Sequence, residues 1–320
     1  MTDNTHPATA MDLTGRNVVI TGASDGIGKT AARRLAVMGA HVVIVGRNAQ
    51  KTETVVREID CARVSGTVTS EIADLSRQDE VRELANRLRA RLSCIDVLIN
   101  NAGAIFSDRV LTSDGFERTF ALNHLGYFTL TLLLLPALYA AGVPGRPARI
   151  INVASRAHFR AQLDLNDLQS ERSFRAWRTY NNSKLANILF TRALSRRLDT
   201  SRVVTHSLHP GVVASQFAIA SNGFWGKFMR TAMNLRSISP ERGADTIVHL
   251  ATAHMATLTS GLYWDQCTVA GPSAAAQNDA NAERLWVESA RLASLEADRI
   301  TETARNDAHA NDSPTIDRSR

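Results

Sequence analysis

The chain has 320 residues, of which 44% are apolar and 21% charged, an ordinary soluble globular composition that excludes collagen-like, coiled-coil and fully disordered chains. The 37 Lys and Arg residues against 31 Asp and Glu residues give a net charge of +6, too small a surplus to indicate a nucleic-acid or membrane partner by itself. Three widely separated cysteines provide neither a disulfide framework nor a Cys-x-x-Cys metal motif, which favours a reducing cytoplasm.

Strand-like and helix-like segments alternate along the chain. Short β-branched runs predict strands at Asn17–Ile20, His41–Val45, Gly66–Ile72, Ile95–Asn100, Ala148–Val153, Val203–Leu208 and Leu258–Trp264. Apolar periodicity predicts helices at Ile27–Val37, Ala49–Ile59, Gln78–Arg91, Phe116–Ala140, Thr179–Leu198 and Glu241–Ala251. This alternation indicates a doubly wound α/β fold, with a mostly parallel seven-stranded sheet and helices on both faces.

The same pattern sets the expected domain boundaries. No Pro- or Ser-rich linker interrupts residues 14–298, so we expect a single domain there. Residues 1–13 form a polar leader without the apolar segment of a secretory signal. Residues 299–320 are polar and lack apolar periodicity, which predicts a disordered tail.

One segment is long enough to be considered as a membrane span. Between Arg118 and Arg146 lie 27 residues without a formal charge. Asn123, His124 and Pro136 interrupt this run, which lies between two predicted strands, so a helix buried by the sheet or by a partner subunit is favoured. We therefore expect at most peripheral membrane contact, and assembly into a homodimer or homotetramer.

A glycine-rich turn follows the first predicted strand at Thr21–Thr30. Gly28-Lys29-Thr30 is like the end of a P-loop, but that motif has four residues between its glycines and here five separate Gly22 from Gly28. Glycines at this position permit a tight turn and bring backbone N–H groups close to a pyrophosphate at a helix N-terminus. The turn is typical of a Rossmann-type dinucleotide-binding fold, and a purely structural glycine turn is the alternative that this motif alone leaves open.

The residue after the second strand bears on the choice of dinucleotide. An acidic residue about 20 positions after the glycines would hold the adenosine ribose and repel a 2′-phosphate. The strand ends instead in Gly46-Arg47-Asn48. Because a guanidinium binds phosphate through two N–H groups, Arg47 favours NADP(H), with NAD(H) as the alternative.

Four polar residues form the candidate catalytic group. Tyr180 and Lys184 are four apart in a predicted helix and so share one face. A phenol has a pKa near 10, and lowering it by about 3 units takes roughly 4 kcal/mol, which a neighbouring lysine helps to supply. Ser155 ends the strand Ala148–Val153 on its carboxyl side, and Asn123 is an amide in an apolar helix that needs a partner.

With these motifs in order, residues 14 to 295 resemble a short-chain dehydrogenase/reductase of the retinol dehydrogenase and WW-domain oxidoreductase type. The supporting motifs are Thr21–Gly28, Asp74-Leu75, Asn100–Gly103, Asn123, Ser155, Tyr180–Lys184 with its extension to Phe190, and His209–Val213. The resemblance implies an oxidoreductase that moves a hydride between a nicotinamide cofactor and a carbonyl or alcohol.

The resemblance also implies roles for the catalytic residues. Tyr180 acts as general acid in reduction and general base in oxidation. Lys184 lowers the pKa of Tyr180 and holds the nicotinamide ribose. Ser155 polarises the carbonyl, and Asn123 anchors a water that relays protons to Lys184.

Further residues are implied in cofactor binding. In this reading Asp74 bonds the adenine amino group, Asn101 lies against the adenosine, and Ser215 stands where the family usually has Thr for the carboxamide. The full set is Gly22, Ser24, Asp25, Gly26, Ile27, Gly28, Arg47, Asn48, Asp74, Leu75, Asn101, Ala102, Gly103, Tyr180, Lys184, Pro210, Gly211, Val213 and Ser215. A second departure, Ala154 in place of a frequent Ser, leaves Ser155 in its position.

Other functional classes find less support in the sequence. His206 lies on a predicted strand and His209 just after it, and strand and loop positions three apart do not reliably share a face, so no metal site is predicted. Basic residues are scattered without an aromatic stacking ladder, so no nucleic-acid partner is expected. His158 follows Ser155 closely, and either substrate contact or a structural role is open to it.

An apolar segment at 216–240 is where a substrate lid would lie, and Phe159, Phe174 and Trp177 precede Tyr180 near the same opening. These residues indicate a lipophilic small-molecule substrate, although packing of the lid onto the domain explains its apolar residues equally well. Two alternative functions stay open: a carbon–carbon double-bond reductase of the protochlorophyllide reductase type, and a catalytically silent NADP-sensing module.

Overall fold

A computed structural model describes residues 12–62, 64–211, 239–253 and 259–312. Its strands are β1 (Asn17–Thr21), β2 (His41–Gly46), β3 (Thr67–Ile72), β4 (Val97–Asn100), β5 (Ala148–Val153), β6 (Val203–His209), β7 (Tyr263–Asp265) and β8 (Thr268–Val269). Its long helices are α1 (Gly26–Val37), α2 (Ala49–Cys61), α3 (Gln78–Arg91), α4 (Arg118–Ala141), α5 (Ala176–Ser195), α6 (Pro240–Thr252), α7 (Asp279–Leu292) and α8 (Ala297–Asp312).

The described strands form one sheet in the order β3-β2-β1-β4-β5-β6-β7-β8. Strands β1 to β7 pair in parallel, which confirms the predicted doubly wound α/β fold. The predicted seven strands are one too few, because β8 adds an antiparallel edge through the pair Trp264–Val269. Two residues of strand after a tight connection carry too little pattern to be recognised in sequence.

Helix starts follow the capping residues. The Asp25 carboxylate accepts from Gly26 N at 2.7 Å and begins α1, and the Asn48 side chain accepts from Lys51 N at 2.9 Å and begins α2. Both helices and β1 to β3 agree with the predicted segments to within two residues. One hydrophobic layer packs on each face of the sheet.

The long apolar segment is helix α4, and 83% of its most apolar window is buried inside the protein. It is long and apolar enough to cross a membrane, but this burial identifies it as a core helix of the kind predicted. Residues Ala121–Leu125 form a π-helical turn within it. The predicted homodimer or homotetramer stays a prediction.

The prediction of a disordered tail is wrong for residues 299–312, which belong to helix α8. Its buried face carries Ala297, Thr301, Ala304 and Ala308, so the periodic side chains are small and give a weak apolar signal. Helix α7 was missed as well, although Leu285 and Trp286 are fully buried on it. Residues 1–11 of the predicted leader and residues 216–238 of the predicted lid lie outside the described residues.

The topology places the functional residues together. The chain reverses direction across the sheet between the neighbouring strands β1 and β4, and such a switch opens a crevice at the carboxyl ends of the strands. The glycine turn follows β1, Asn101 follows β4, and Ser155 follows β5 at this same edge. Helix α5 brings Tyr180 and Lys184 against it.

Candidate active site

Tyr180 and Lys184 face β5 from helix α5, as their spacing predicts. Both side chains are buried, with Tyr180 only 7% exposed. The Lys184 ammonium donates to the backbone oxygen of Val153 at 3.0 Å, and its nitrogen lies 5.7 Å from the centre of the Tyr180 ring. The pair therefore occupies one site at the end of β5.

Ser155 completes this group from the strand side. It follows β5 and caps the short 3₁₀ helix Arg156–Arg160, with its hydroxyl accepting from Ala157 N at 3.2 Å. A hydrogen bond joins the side chains of Ser155 and Tyr180. The two hydroxyls are thus positioned to bind a single oxygen atom of a substrate together.

Burial dominates the protonation of the pair. It raises the pKa of Tyr180 well above 10, while the hydrogen bond with Ser155 acts in the opposite direction. Burial also lowers the pKa of Lys184 to about 7. The lowering of the Tyr180 pKa by Lys184 together with a bound nicotinamide stays a prediction.

Asn123 lies in the π-helical turn of α4 and is fully buried. Its oxygen accepts from Ala104 N at 2.9 Å, and its amide nitrogen donates to Ala104 O and to the Ser183 hydroxyl, both at 3.0 Å. A Cβ added to Gly103 would stand 3.2 Å from the Asn123 oxygen and 3.3 Å from the Lys184 nitrogen. Asn123 and Lys184 therefore both line the space beside Gly103, which a side chain at this position would fill.

The glycine turn forms a cradle that fits a dinucleotide. Gly22 has a φ of +66° and lies so close to strand β4 that an added Cβ would stand 2.6 Å from Ala102 Cα. A Cβ on Gly28 would meet the Asn101 amide nitrogen at 2.6 Å. Helix geometry leaves the Ile27 and Gly28 N–H groups without an intrahelical acceptor. These features match the close backbone approach and N–H donors that a pyrophosphate needs.

The adenosine end of the cradle is formed by the ends of β2 and β3. Arg47 is 60% exposed, and its guanidinium lies 3.7 Å from the Asp74 carboxylate. The other Asp74 oxygen accepts from Ser76 N and from the Ser76 hydroxyl. An added Cβ on Gly46 would stand 3.3 Å from Ser24 Cβ, so the glycine turn and Arg47 are adjacent.

Several predicted binding residues also hold the protein together. Asn101 donates through its side chain to Thr21 O at 2.8 Å and Gly22 O at 3.1 Å, which fixes the turn. The Asn48 side chain is the cap of α2, and Leu75 is buried. Gly211 has a φ of +89° after Pro210 at the end of β6. Val213 and Ser215 lie outside the described residues.

His158 is a structural residue, which resolves the alternatives left open for it. Its side chain is buried, with Nδ1 2.6 Å from Ser155 O and Nε2 accepting from Ser273 N at 3.1 Å. Nδ1 thus holds the backbone of Ser155 and Nε2 holds the backbone of Ser273, so the ring ties the segment after β5 to the loop before α7.

Sequence reasoning missed three polar side chains next to the catalytic group: Tyr127, His124 and Asn187. The Tyr127 ring lies 5.8 Å from the Lys184 nitrogen, and Asn187 donates to Val153 O, the acceptor of Lys184. His124 is within hydrogen-bonding distance of Asn187. A histidine inside an uncharged apolar run was the available signal, because burial there demands partners.

A family model described as short chain dehydrogenase matches residues 16–223. That range contains the glycine turn, Asn123, Ser155, Tyr180 and Lys184.

Curated relatives cover most of the chain. Retinol dehydrogenase 11 of Homo sapiens is 40% identical over 291 residues, which are 90% of this chain and 89% of that protein. Retinol dehydrogenase 13 of Homo sapiens is 37% identical and covers 91% of this chain and 88% of its own. Polyprenol dehydrogenase of Mus musculus is 36% identical, with coverage of 87% and 84%.

Solved structures show the same fold. An uncharacterised protein of Mycobacterium paratuberculosis superposes with a TM-score of 0.72 at 32% identity, covering 91% of this chain and 97% of its own. The Pseudomonas aeruginosa protein RhlG, solved as an NADP active-site complex, superposes with a TM-score of 0.63 at 27% identity, covering 79% and 95%.

Proposed function

Because the chain belongs to the short-chain dehydrogenase family, we propose that it is an NADP(H)-dependent oxidoreductase that interconverts a lipophilic carbonyl and the corresponding alcohol. Membership of the family makes it an NAD(P)-dependent dehydrogenase/reductase acting on carbonyl or alcohol groups. The cofactor preference, the roles of single residues and the substrate class are the parts we propose.

The observation that carries the proposal is the meeting of Tyr180, Ser155, Lys184 and Asn123 at one edge of the sheet. Lys184 and the Ser155–Tyr180 hydrogen bond lie at the end of β5, and Gly103 leaves the space beside Lys184 and Asn123 open. A silent sensing module would have no need for this arrangement of a proton donor, an oxygen-binding hydroxyl and a buried amine.

These residues divide the proton chemistry of carbonyl reduction between them. A bound nicotinamide cofactor supplies the hydride that reaches the carbonyl carbon. The Ser155 hydroxyl donates a hydrogen bond to the carbonyl oxygen, and the Tyr180 hydroxyl transfers its proton to that oxygen. Lys184 stabilises the resulting phenolate, and oxidation of the alcohol reverses each of these steps.

Support for NADP(H) comes from the surface beside the glycine turn. Arg47 follows Gly46, whose backbone lies against the Ser24 side chain of the glycine turn, and its exposed guanidinium is the group we propose to bind a 2′-phosphate. RhlG, one of the structural neighbours, was solved with NADP. The nearby Asp74 carboxylate pairs with Arg47 in this structure and would be replaced by the phosphate as its partner.

Support for a lipophilic substrate comes from two exposed aromatic side chains at the opening of the site. Phe159 is 52% exposed directly after His158, and Trp177 is 41% exposed with its ring 6.2 Å from that of Tyr180. Large exposed apolar side chains beside a catalytic group favour an apolar ligand. Relatives named for retinol and polyprenol are named for long isoprenoid alcohols.

The cofactor part of the proposal is tested by comparing KM for NADPH and NADH in the wild type and in Arg47→Asp. A charge-assisted bond to the 2′-phosphate predicts a wild-type preference for NADPH of about 10- to 100-fold, lost or reversed in the variant. Arg89→Asp, an exposed arginine on α3, is the matched control and should keep the preference. A wild-type preference for NADH would contradict the assignment.

A further inference from the structure

The carbonyl oxygen of Val153 accepts two hydrogen bonds from helix α5. Lys184 donates at 3.0 Å, and the side-chain nitrogen of Asn187 donates at 3.3 Å. Asn187 is fully buried one turn after the lysine. The ammonium and the carboxamide are therefore neighbours that share one acceptor.

Val153 O and His124 contact opposite ends of the Asn187 carboxamide, and together they set its orientation. A carbonyl oxygen can only accept, so Asn187 turns its amino group toward Val153 and its oxygen away. That oxygen lies 3.4 Å from Nδ1 of His124, across on helix α4. A favourable contact requires His124 to carry its proton on Nδ1.

The other side of the His124 ring is held by the C-terminal part of the chain. Nε2 lies 2.9 Å from the hydroxyl of Ser289, a fully buried residue of α7. Burial lowers the pKa of His124 to about 4, so the ring is neutral and carries one proton. With that proton on Nδ1, Nε2 accepts from the Ser289 hydroxyl. The donor and the acceptor are then assigned for each contact in the series from Ser289 through His124 and Asn187 to Val153.

The contact at 3.4 Å is too long to contribute much energy by itself. Its effect is to choose between two orientations of the carboxamide. In the reversed orientation the Asn187 oxygen would face Val153 O, which repels it, and Lys184, which attracts it. A reversed carboxamide would thus compete for the ammonium and draw it away from Tyr180.

We propose that His124 is a positioning residue, which keeps the Asn187 oxygen turned away from Lys184 and so leaves the ammonium free to act on Tyr180 and the cofactor. Ser289 supports it by fixing the tautomer from α7. The inference rests on the proposed role of the Tyr180–Lys184 pair, and it assigns a function in that site to three residues beyond the four catalytic ones.

The surroundings of His124 permit a substitution that keeps its shape. The rings of Phe120, Phe128 and Phe190 pack around it at centroid distances of 5.1, 6.4 and 6.1 Å. A phenylalanine suits this pocket but donates no hydrogen bond to Asn187. The variant His124→Asn is the conservative counterpart, because an asparagine amide places a donor near the position of Nδ1.

The test observes Lys184 directly. The chain has only four lysines, which are Lys29, Lys51, Lys184 and Lys227. The side-chain nitrogen of Lys184 can therefore be followed by NMR after ¹⁵N-lysine labelling, and its signal is assigned by its loss in Lys184→Met. Tyr180 on its own helix and Tyr127 on α4 are the titratable groups that face Lys184 among the described residues. Burial predicts a titration midpoint of about 7 for Lys184 in the wild type.

In His124→Phe the released Asn187 oxygen should stabilise the ammonium and raise this midpoint by about 1 unit. Turnover should fall about 10-fold with the substrate KM unchanged, since the ammonium is misdirected rather than the pocket altered. The basic limb of the kcat profile for alcohol oxidation should also move to higher pH. His124→Asn should restore all three quantities.

A double-mutant cycle shows whether the effect passes through Asn187. In an Asn187→Ala background, His124→Phe should leave the Lys184 midpoint unchanged, because no oxygen is left to compete. An unshifted midpoint in His124→Phe, or an equal shift with and without Asn187, would overturn the inference. The NMR result stands even if no carbonyl substrate is turned over, so failure of the proposed function is a separate outcome.

Discussion

The ammonium of Lys184 donates a hydrogen bond to the backbone oxygen of Val153, two residues before Ser155 on the same segment of chain. This contact joins helix α5, which carries the proposed proton donor Tyr180, to the end of β5, which is followed by Ser155 with its proposed oxygen-binding hydroxyl. The Lys184 amine is buried between the rings of Tyr127 and Tyr180, and none of the contacts described for it is with a carboxylate. The site is therefore built at a cost in stability, and the cost depends on pH.

Replacing Lys184 with methionine should stabilise the cofactor-free protein and abolish turnover. Methionine has a similar length and needs no proton or hydrogen-bond acceptor, so the desolvation that lowers the lysine pKa to about 7 is removed. We expect a higher Tm at pH 7 by thermal unfolding. Lys51→Met, at an exposed position on α2, is the control and should leave Tm unchanged.

The stabilisation by Lys184→Met should shrink as the pH rises above 7. Between the folded pKa of about 7 and the unfolded value of 10.5, the unfolded wild-type chain binds more protons than the folded one. The free energy of unfolding of the wild type therefore rises with pH in this window, and the advantage of the variant over it shrinks. Each unit of difference corresponds to about 1.4 kcal/mol. A lower Tm for the variant at pH 7, or an advantage that grows toward pH 9, would contradict this reading of the buried amine.

Three buried histidines should make the protein sensitive to mild acid. Burial lowers the pKa of His124, His206 and His209 to about 4 from 6.5. Between these two values the unfolded chain binds more protons than the folded one, so the free energy of unfolding falls as the pH falls through this window. Urea unfolding at pH 7, 6 and 5 should show the loss, and His206→Phe should reduce it. Equal stability at pH 7 and pH 5 would count against the buried neutral rings.

Gly22→Ala should lose cofactor binding as well as stability. The added methyl would stand 2.6 Å from Ala102 Cα at a φ of +66°, so the turn has to move away from β4. We expect a loss of about 1–3 kcal/mol in unfolding free energy, with weakened NADPH binding by fluorescence titration. Gly115→Ala is the control, because Gly115 has a φ of +80° but open space around it. This variant introduces the backbone strain without the steric contact and should bind NADPH normally. Equal NADPH affinity in the two variants would show that the turn is not the cradle.

Trp177→Ala should raise KM for a long apolar aldehyde more than for a short one. The exposed ring beside Tyr180 offers apolar area that only a large substrate covers, worth about 1–2 kcal/mol. Steady-state kinetics with retinal and with propanal give the comparison, and Val37→Ala, an exposed apolar residue on α1, is the control. An equal fold-change in KM for retinal and for propanal would show that Trp177 does not contact the apolar part of the substrate.

The sequence was informative where a local rule determines geometry. Four-residue spacing predicted that Tyr180 and Lys184 share a face, and strand ends predicted where Ser155 and the glycine turn lie. The parallel sheet followed from alternation alone. Helix α8 was missed because its buried face is mostly alanine, which the apolar periodicity of a 3.6-residue repeat barely registers.

Contacts between distant segments could not be read in the same way. Ser289 is 165 residues from His124, and Ser273 is 115 from His158, yet each pair is hydrogen-bonded in the structure. Spacing along the chain carries no information about such pairs, since they depend on how α7 and its preceding loop pack on the sheet. The polar partners of the candidate catalytic residues therefore emerged only from the three-dimensional structure.

The central claim is that Tyr180 is the proton donor of an NADPH-dependent carbonyl reduction. NADPH consumption is measured with retinal, medium-chain aldehydes, a steroid-like ketone and a quinone, in the wild type, in Tyr180→Phe and in Tyr139→Phe. Tyr139 is a second buried phenol, whose oxygen accepts from Asp199 N near the opposite edge of the sheet. The account predicts turnover of an apolar carbonyl in the wild type and the control, with a loss of about 10²- to 10⁴-fold in Tyr180→Phe while NADPH still binds. Wild-type rates in Tyr180→Phe would contradict it.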